Sequence, residues 1–341
     1  MNDKRSIGGW RTWLLALAML APLAALAQAR MQLVAARDHI PGSFVGNEAV
    51  YADKQRIYLA SYEGNLFVLA RNRATGFPLI EVVQVASAPL TAVRGDGKLL
   101  YVTSQDGLLR VYRKGPTLQF AWAASLSETG VAGLALQGLE VYVSRGQANV
   151  AADVSHVYLN QLNEGDTALQ LDGLDLTADL VYGQSFETGT VVYNRSDGKR
   201  IGALPAAAGR SIYVDSKLLA LTTPGCCGLG IALYDPETLT PLQTIAWLST
   251  NTALRSGRWL IAGTEAGTID MFDLARNPSP RVDGVNLRTL TGHTGADDIE
   301  IRALWADSND GLIFAASSWG NAATHSDTLP SFFVLDLATK K

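Results

Sequence analysis

The adjacent cysteines Cys226 and Cys227 are the residues of this sequence whose type and spacing most directly suggest chemistry. They are the only cysteines among 341 residues, which excludes a framework of several disulfides and a Cys-rich zinc site. Adjacent Cα atoms are about 3.8 Å apart, below the usual disulfide range of ~4.4–6.8 Å. A bond between the two would therefore close a strained eight-membered ring. Gly225 and Gly228 flank the pair and give the backbone the freedom that such a ring requires.

Three interpretations of this cysteine pair are open. Two neighbouring thiols rarely stay reduced in an oxidising compartment, which favours a vicinal Cys226–Cys227 disulfide that is structural or contacts a ligand. Two soft sulfur ligands could instead bind copper or mercury. The third interpretation is a pair of thiols without a function. Of the three, we expect the disulfide.

Histidine offers a weaker possibility for chemistry. His325 lies two residues before Asp327, and with Asp297 these side chains are weak candidates for metal ligands. No two of them have a recognised metal-site spacing, so no metal is expected. The sequence also lacks a c-type haem motif, a Gly-x-Ser-x-Gly elbow, a P-loop and a zinc-protease motif. No catalytic residue is therefore assigned.

Three long loops carry the remaining candidate binding residues. They cover residues 145–153, 222–230 and 319–327, whereas most of the corresponding turns are short. Binding sites concentrate on loops that a rigid scaffold positions. We therefore expect one loop-rich face that binds a protein partner or a small ligand, formed by Cys226, Cys227, Trp319, Asn321, His325, Asn149 and Asp153. Tyr182 is a further aromatic candidate for this face, whereas Trp122, Trp247, Trp259 and Trp305 fall in predicted strands and are expected in the core.

The elements that position these loops form a repeat. A short apolar strand recurs with its last residue at positions 69, 112, 158, 193, 234, 272 and 335, in steps of 43, 46, 35, 41, 38 and 63 residues. Most steps are close to the ~40–45 residues of a four-stranded propeller blade. A second apolar strand precedes the repeated one across a polar or glycine-containing turn, and an outer strand follows it. This order is typical of antiparallel hairpins.

Seven repeats predict an all-β fold, a seven-bladed β-propeller of four-stranded antiparallel blades over residues 30–341. The last repeat lacks its outer strand, and residues 31–35 are strand-like and precede the first repeat. We expect this N-terminal strand to complete the last blade, because the pairing removes an open edge at the seam of the ring.

The repeats resemble those of WD40 and related YVTN-type, quinoprotein-like propellers. Gly292-His293 and residues 334–337 carry the resemblance in the last repeat, and residues 266–274 carry it in the sixth. The signature Trp is replaced by Tyr, Phe or Leu, and the Gly-His pair occurs once. The resemblance implies the propeller fold and transfers no catalytic residue.

The first 29 residues are predicted to be a cleaved secretory signal peptide. Basic residues at positions 4, 5 and 11 precede an apolar run over residues 13–26, and Ala27-Gln28-Ala29 is a small-x-small cleavage signal. The run is short for a membrane span of ~20 residues. We therefore expect a periplasmic protein with no integral membrane segment in the mature chain.

Composition narrows the possible functions. The chain has 28 Lys and Arg against 32 Asp and Glu, so no basic excess is available to neutralise the phosphates of a nucleic acid. The leading hypothesis is a non-enzymatic propeller that binds a protein partner or a small ligand on the loop-rich face, with no cofactor expected. The oligomeric state is left open.

Two enzymatic hypotheses compete with this one. The first is an oxidoreductase, either a quinone-dependent dehydrogenase or the propeller subunit of a larger enzyme, and the cysteine pair and the periplasm motivate it. It would use a quinone cofactor, and the cysteine pair is similar to the vicinal disulfide that packs on that cofactor in quinone-dependent alcohol dehydrogenases. The second is a hydrolase or lyase, which requires a cluster of titratable side chains around the central channel.

Overall fold

The fold was analysed in a computed structural model. It describes residues 30–37, 40, 44, 46, 48–126, 133–137, 140–143, 151–152, 157–160, 173–185, 189–204, 211–223, 230–291, 299–306, 310–319 and 331–338, with residues 37, 151–152, 157–160, 185, 319 and 338 described by their backbone alone. This part of the chain is almost entirely β-strand. It also contains a 3-10 helix, Arg73–Thr75, and one short α-helix, α1 (Leu287–Thr291). None of the helices in the described ranges has the length and apolar character needed to cross a membrane.

The described residues form 28 strands in seven four-stranded sheets, which we number in chain order. Sheet 1 consists of β2 (Val50–Ala52), β3 (Arg56–Ala60), β4 (Asn65–Ala70) and β5 (Leu79–Gln84). Sheet 2 consists of β6 (Leu90–Gly95), β7 (Leu99–Ser104), β8 (Leu108–Arg113) and β9 (Gln119–Ser125). Sheet 3 consists of β10 (Leu134–Gln137), β11 (Glu140–Val143), β12 (Ala151–Ala152) and β13 (Val157–Asn160).

The other four sheets complete the ring. Sheet 4 consists of β14 (Gly173–Leu176), β15 (Leu180–Ser185), β16 (Gly189–Asn194) and β17 (Arg200–Leu204). Sheet 5 consists of β18 (Ile212–Val214), β19 (Leu219–Thr223), β20 (Gly230–Tyr234) and β21 (Pro241–Ile245). Sheet 6 consists of β22 (Thr250–Ser256), β23 (Trp259–Thr264), β24 (Thr268–Asp273) and β25 (Arg281–Asn286). Sheet 7 consists of β26 (Ile299–Ala306), β27 (Leu312–Trp319), β28 (Phe332–Ala338) and β1 (Arg30–Arg37).

Six of these sheets are antiparallel blades, and sheet 3 is the exception. In sheet 3, β13 pairs in parallel with β11 and antiparallel with β12. The prediction of seven antiparallel blades is therefore wrong by one: the described residues show a propeller with six. The reason lies in residues 145–153, which were predicted to be a loop. They contain β12, so the chain reverses once more and enters β13 in the direction of β11.

The first strand of each sheet lies at the centre of the ring. The strands β2, β6, β10, β14, β18, β22 and β26 each contact the first strand of the following sheet, and β26 contacts β2. The ring is joined in sheet 7, where β1 pairs antiparallel with β28 and Leu33 lies opposite Leu335. The predicted completion of the last blade by the N-terminal strand is confirmed.

The core lies between neighbouring sheets. The middle strands are buried on both faces, as in β3, where residues 57–60 are all buried, so they read in the sequence as continuous apolar runs rather than as alternating patterns. The largest buried cluster joins sheets 7, 1 and 2 and includes Phe314, Phe67 and Val102. Each sheet is therefore stabilised chiefly by its neighbours, because a single sheet cannot bury both of its faces.

Aspartate side chains close the turns at one end of the ring, which we call the turn face. Asp53, Asp96 and Asp215 each lie between the first and second strands of a sheet. Each accepts backbone N–H groups two and three residues further along, at 2.7–3.0 Å. These side-chain bonds replace part of the strand pairing that ends there, and so they fix the end of each first strand.

The opposite end, which we call the loop face, contains the turns between second and third strands and the connections between sheets. Gly64 adopts a φ of 81° in the turn of sheet 1, and its carbonyl accepts the N–H of Val85 at 2.9 Å from the connection to sheet 2. In sheet 6, the Gly267 carbonyl accepts the N–H of Leu287 at 3.0 Å in the same way. The turns of the loop face are thus tied to the connections beside them.

We expect Gly64→Ala to destabilise the protein by about 2–4 kcal/mol, the sum of a left-handed φ and of overpacking. An added Cβ would lie 2.1 Å from the carbonyl oxygen of Ala86. Gly97→Ala is the matched control, since a Cβ at Gly97 would have nothing within 4 Å. Urea denaturation measures both free energies of unfolding. Equal values for the two variants would contradict the close approach at the loop face.

Candidate functional site

The side chains that the sequence assigns to a loop-face site lie outside the described residues, apart from the backbone of Trp319 at the loop-face end of β27. The predicted disulfide lies outside them too, as do the weak metal candidates; the residues concerned are Cys226, Cys227, Asn321, His325, Asn149, Asp153, Asp327 and Asp297. Within the described ranges, no group of three or more His, Cys, Asp or Glu could hold a metal ion.

Tyr182 does not belong to the loop face. It is fully buried within sheet 4, and its hydroxyl donates to the carbonyl of Pro236 at 2.6 Å. The sequence suggested Tyr182 only as a further aromatic candidate for that face. The residue nevertheless lies inside β15, opposite Asp175 and Val192 in its neighbouring strands.

Three large apolar side chains are exposed on the loop face. Tyr62 is 49% exposed in the turn of sheet 1, Leu248 is 47% exposed just before β22, and Leu290 is 50% exposed in α1. A single exposed apolar residue is ordinary on a soluble protein. Three at one end of the ring form a candidate contact surface there, beside six others that the outer strands β5, β9, β17 and β21 expose.

A cavity of about 320 Å³ lies on the axis of the ring, lined by the first strands of all seven sheets. The lining shows the repeat of the fold. Each first strand contributes one residue that occupies the equivalent position in its sheet, as judged by its partner in the second strand. These residues are Tyr51, Arg94, Ala135, Asp175, Tyr213, Leu254 and Trp305. Five of the seven are aromatic or charged, so the repeat places polar chemistry at one level of the axis.

Sheets 7, 1 and 2 form an aromatic and cationic wall of the cavity. The rings of Tyr51 and Trp305 pack edge to face, with centroids 5.0 Å apart. The Cζ atom of Arg94 lies 5.4 Å from the centroid of the Trp305 ring. Arg94 Nη1 also donates to the carbonyls of Glu48 and Val50, at 3.2 Å each. The guanidinium is thus fixed by both the backbone of sheet 1 and an aromatic face.

Sheets 4, 5 and 6 form the other wall. The Asp175 carboxylate accepts the N–H of Val214 at 2.7 Å and that of Leu176 at 2.9 Å, which links sheet 4 to sheet 5. Arg255 Nη1 donates to Asp215 Oδ2 at 2.9 Å. This wall therefore presents a carboxylate and a paired guanidinium.

Glu48 lies at the loop-face end of the cavity and joins three sheets. Its Oε2 accepts the N–H of Leu134 at 2.7 Å, and its Oε1 accepts that of Leu174 at 3.4 Å. Burial raises the pKa of Glu48 to about 7, against the lowering effect of Arg94 and of the two backbone N–H groups. Burial likewise raises the pKa of Asp175 to about 6. Both carboxyl groups therefore titrate close to neutral pH.

The cavity contains titratable side chains, as a hydrolase or lyase would need, and its carboxyl and guanidinium groups are bonded to other groups of the protein. Glu48 and Asp175 accept backbone N–H groups, and Arg255 is paired with Asp215. Among the described lining residues, no Ser or Thr hydroxyl donates to a carboxylate, as an activated nucleophile would. The lining can hold a ligand by hydrogen bonds and aromatic contact.

Sequence reasoning missed this cavity. Trp305 was expected in the core, and Glu48, Arg94 and Arg255 were not considered. A usable signal exists: Tyr51, Arg94, Asp175 and Tyr213 each lie two residues before the Asp or Thr that closes the turn. Aligning the repeats on that turn would have revealed a polar ring.

Comparison with known proteins identifies the fold alone. No family model and no curated protein matches the sequence. The computationally designed Ika8 protein is 12% identical, with a TM-score of 0.59, over 89% of this chain and 99% of that one. A chain of a mitotic checkpoint complex is 11% identical, with a TM-score of 0.65, over 98% and 96%. The protein thus shares the β-propeller fold of WD40-type structures.

We expect Glu48 to make folding stability fall as the pH rises. Its pKa of about 7 lies above the ordinary value of 4.5, so the folded state binds the proton more tightly. Protonated Glu48 therefore adds about 3 kcal/mol to the free energy of unfolding. This contribution is complete below pH 4.5 and is lost by about pH 7. Urea denaturation at pH 5 and pH 8 should show a smaller change for Glu48→Gln than for the wild type. The exposed control Glu237→Gln should keep the wild-type change; an identical pH dependence in all three proteins would refute the assignment.

Proposed function

We propose that this protein is a periplasmic β-propeller that binds a protein partner through its loop face and does not catalyse a reaction. The observation that carries the proposal is the exposure of Tyr62, Leu248 and Leu290 at that end of the ring. Apolar and aromatic side chains on a polar surface are where protein interfaces gain most of their binding free energy.

The positions of these side chains support a fixed binding surface. Leu248 and Leu290 flank sheet 6: Leu248 precedes its first strand, and Leu290 lies in the helix that follows its last strand. The N–H of Leu287, at the start of that helix, is tied to the turn of sheet 6 through Gly267. A surface held in this way loses little conformational entropy when a partner binds, which favours affinity.

The proposal includes the compartment and the state of the ring. We propose that residues 1–29 are removed on export, that Cys226 and Cys227 form a disulfide, and that sheet 3 takes the place of a seventh blade. The signal-like N-terminus and the glycines beside the cysteine pair support the first two. The contacts of β10 with β6 and β14 support the third.

The double variant Leu248→Ser/Leu290→Ser should bind the partner at least about tenfold more weakly, a loss of about 1.4 kcal/mol or more. The control is Ile201→Ser/Leu242→Ser on the outer strands, where the two side chains are 55% and 51% exposed. Proteins from a periplasmic extract, captured on each variant, are quantified by mass spectrometry. We expect a protein that both the wild type and the control retain and that the loop-face variant loses. Equal retention by all three proteins would refute the loop face as the binding surface.

Intact mass measures export and the redox state of the cysteines together. We expect the purified protein to start at Arg30, to have a mass about 2 Da below that of the reduced chain, and to resist alkylation under non-reducing conditions. Reduction should expose two thiols to alkylation. Two thiols alkylated before reduction would exclude the disulfide, and a mass that includes residues 1–29 would exclude cleavage.

A further inference from the structure

We infer that the central cavity is a second binding site, for a small uncharged molecule rich in hydroxyl groups such as a monosaccharide or a cyclic polyol. Its volume of about 320 Å³ is in the range of small-ligand pockets. The side chains proposed to contact the ligand are distinct from those of the proposed partner surface. Trp305, Arg94 and Arg255 lie toward the ends of their first strands that lead to the turn face, away from the loop face.

The charges of the cavity oppose an ionic ligand. Arg94 Nη2 lies 3.8 Å from Glu48 Oε2, and Arg255 Nη1 lies 2.9 Å from Asp215 Oδ2. Each guanidinium is thus already opposite a carboxylate, and Asp175 is bonded to two backbone N–H groups. An anionic ligand would therefore be desolvated without a free counter-cation, which is costly. A cationic ligand would meet only Asp175, whose charge the two backbone N–H groups already stabilise.

The unused hydrogen-bonding capacity of the lining matches hydroxyl groups. Within the described residues, Arg255 donates from Nη1, which leaves Nε and Nη2 able to donate to a ligand. A carboxylate has about four acceptor sites, and Asp175 uses two of them. Arg255 and Asp175 both line the cavity. A hydroxyl group both donates and accepts, so a polyol can satisfy both kinds of group at once.

The aromatic wall suits the apolar C–H face of a sugar or cyclitol ring. Trp305 and Tyr51 pack edge to face, and Trp305 is half-buried, so that part of its ring is open. The C–H face of a sugar or cyclitol ring is apolar and can pack against an indole, whereas its hydroxyl edge reaches the polar groups. One apolar face and one polar edge are what this lining offers.

Isothermal titration of the whole mature protein with D-glucose and myo-inositol tests the inference, with succinate and ethanolamine as anionic and cationic probes. We expect saturable binding of at least one neutral probe, accompanied by a change in tryptophan fluorescence. Binding of a charged probe alone would overturn the inference, as would binding of none of the four. Neither result bears on the loop face, which is tested with other residues.

Two variants locate the binding. Trp305→Phe should remove the fluorescence change and weaken the neutral probe at least about tenfold, whereas Trp259→Phe should alter neither. Trp259 is the matched control. It lies at the start of β23, where the Arg258 guanidinium packs on its ring, and it does not line the cavity. Arg255→Gln, which keeps the aromatic wall, provides a second variant if Trp305→Phe fails to fold, and the same weakening is expected. Unchanged affinity in a folded Trp305→Phe or Arg255→Gln protein would refute the cavity as the site.

Discussion

The open edges of the sheets are the constraint on which the rest of this structure depends. A four-stranded sheet leaves unpaired N–H and C=O groups on its first and last strands, and an unpaired edge is both costly and prone to association. At the axis, Glu48 and Asp175 accept N–H groups of other sheets. At the rim, Glu81 does the same for Leu118, and Asp283 does it for Met31 in the strand that joins the ring. Carboxylates thus connect the sheets where strand pairing cannot.

This constraint also explains why the cavity is polar. An axis lined only by apolar side chains would leave the edges of the first strands unpaired, so the ring needs acceptors there. Those acceptors are charged, and their burial is tolerated because backbone N–H groups and Arg94 face them. The groups that bind the sheets together are therefore the groups that a ligand on the axis would meet. If the proposed binding site is occupied, structural and binding roles share the same side chains.

The sequence predicts the fold to the extent that burial determines it. The hairpins β3–β4, β7–β8 and β23–β24 were recognisable because both of their faces are buried, and β1 because one strand of the last blade was missing. Sheet 3 was not predictable, since the two-residue strand β12 leaves no pattern in the sequence. Trp305 packs against the core cluster as expected, but its place in the lining of the cavity was not predictable for a related reason. An apolar strand residue looks the same in the core and on the axis, and the register of seven first strands is needed to separate the two.

Some buried polar atoms have no hydrogen-bond partner in the described part of the chain, and they occur at both ends of the ring: Arg56 Nη1 and Tyr193 Oη lie at the turn-face ends of their strands. At the turn face, Asp53, Asp96 and Asp215 pair with the backbone. At the loop-face ends of sheets 4 and 6, both amide atoms of Gln184 and of Asn251 are buried without a hydrogen-bond partner in the described part of the chain. A buried polar group that stays unpaired costs about 1–3 kcal/mol. Departures of this kind concentrate at functional sites, where stability is given up for another use. Gln184 and Asn251 lie at the end of the ring that also exposes Tyr62, Leu248 and Leu290, where a bound partner would be able to supply the missing hydrogen bonds.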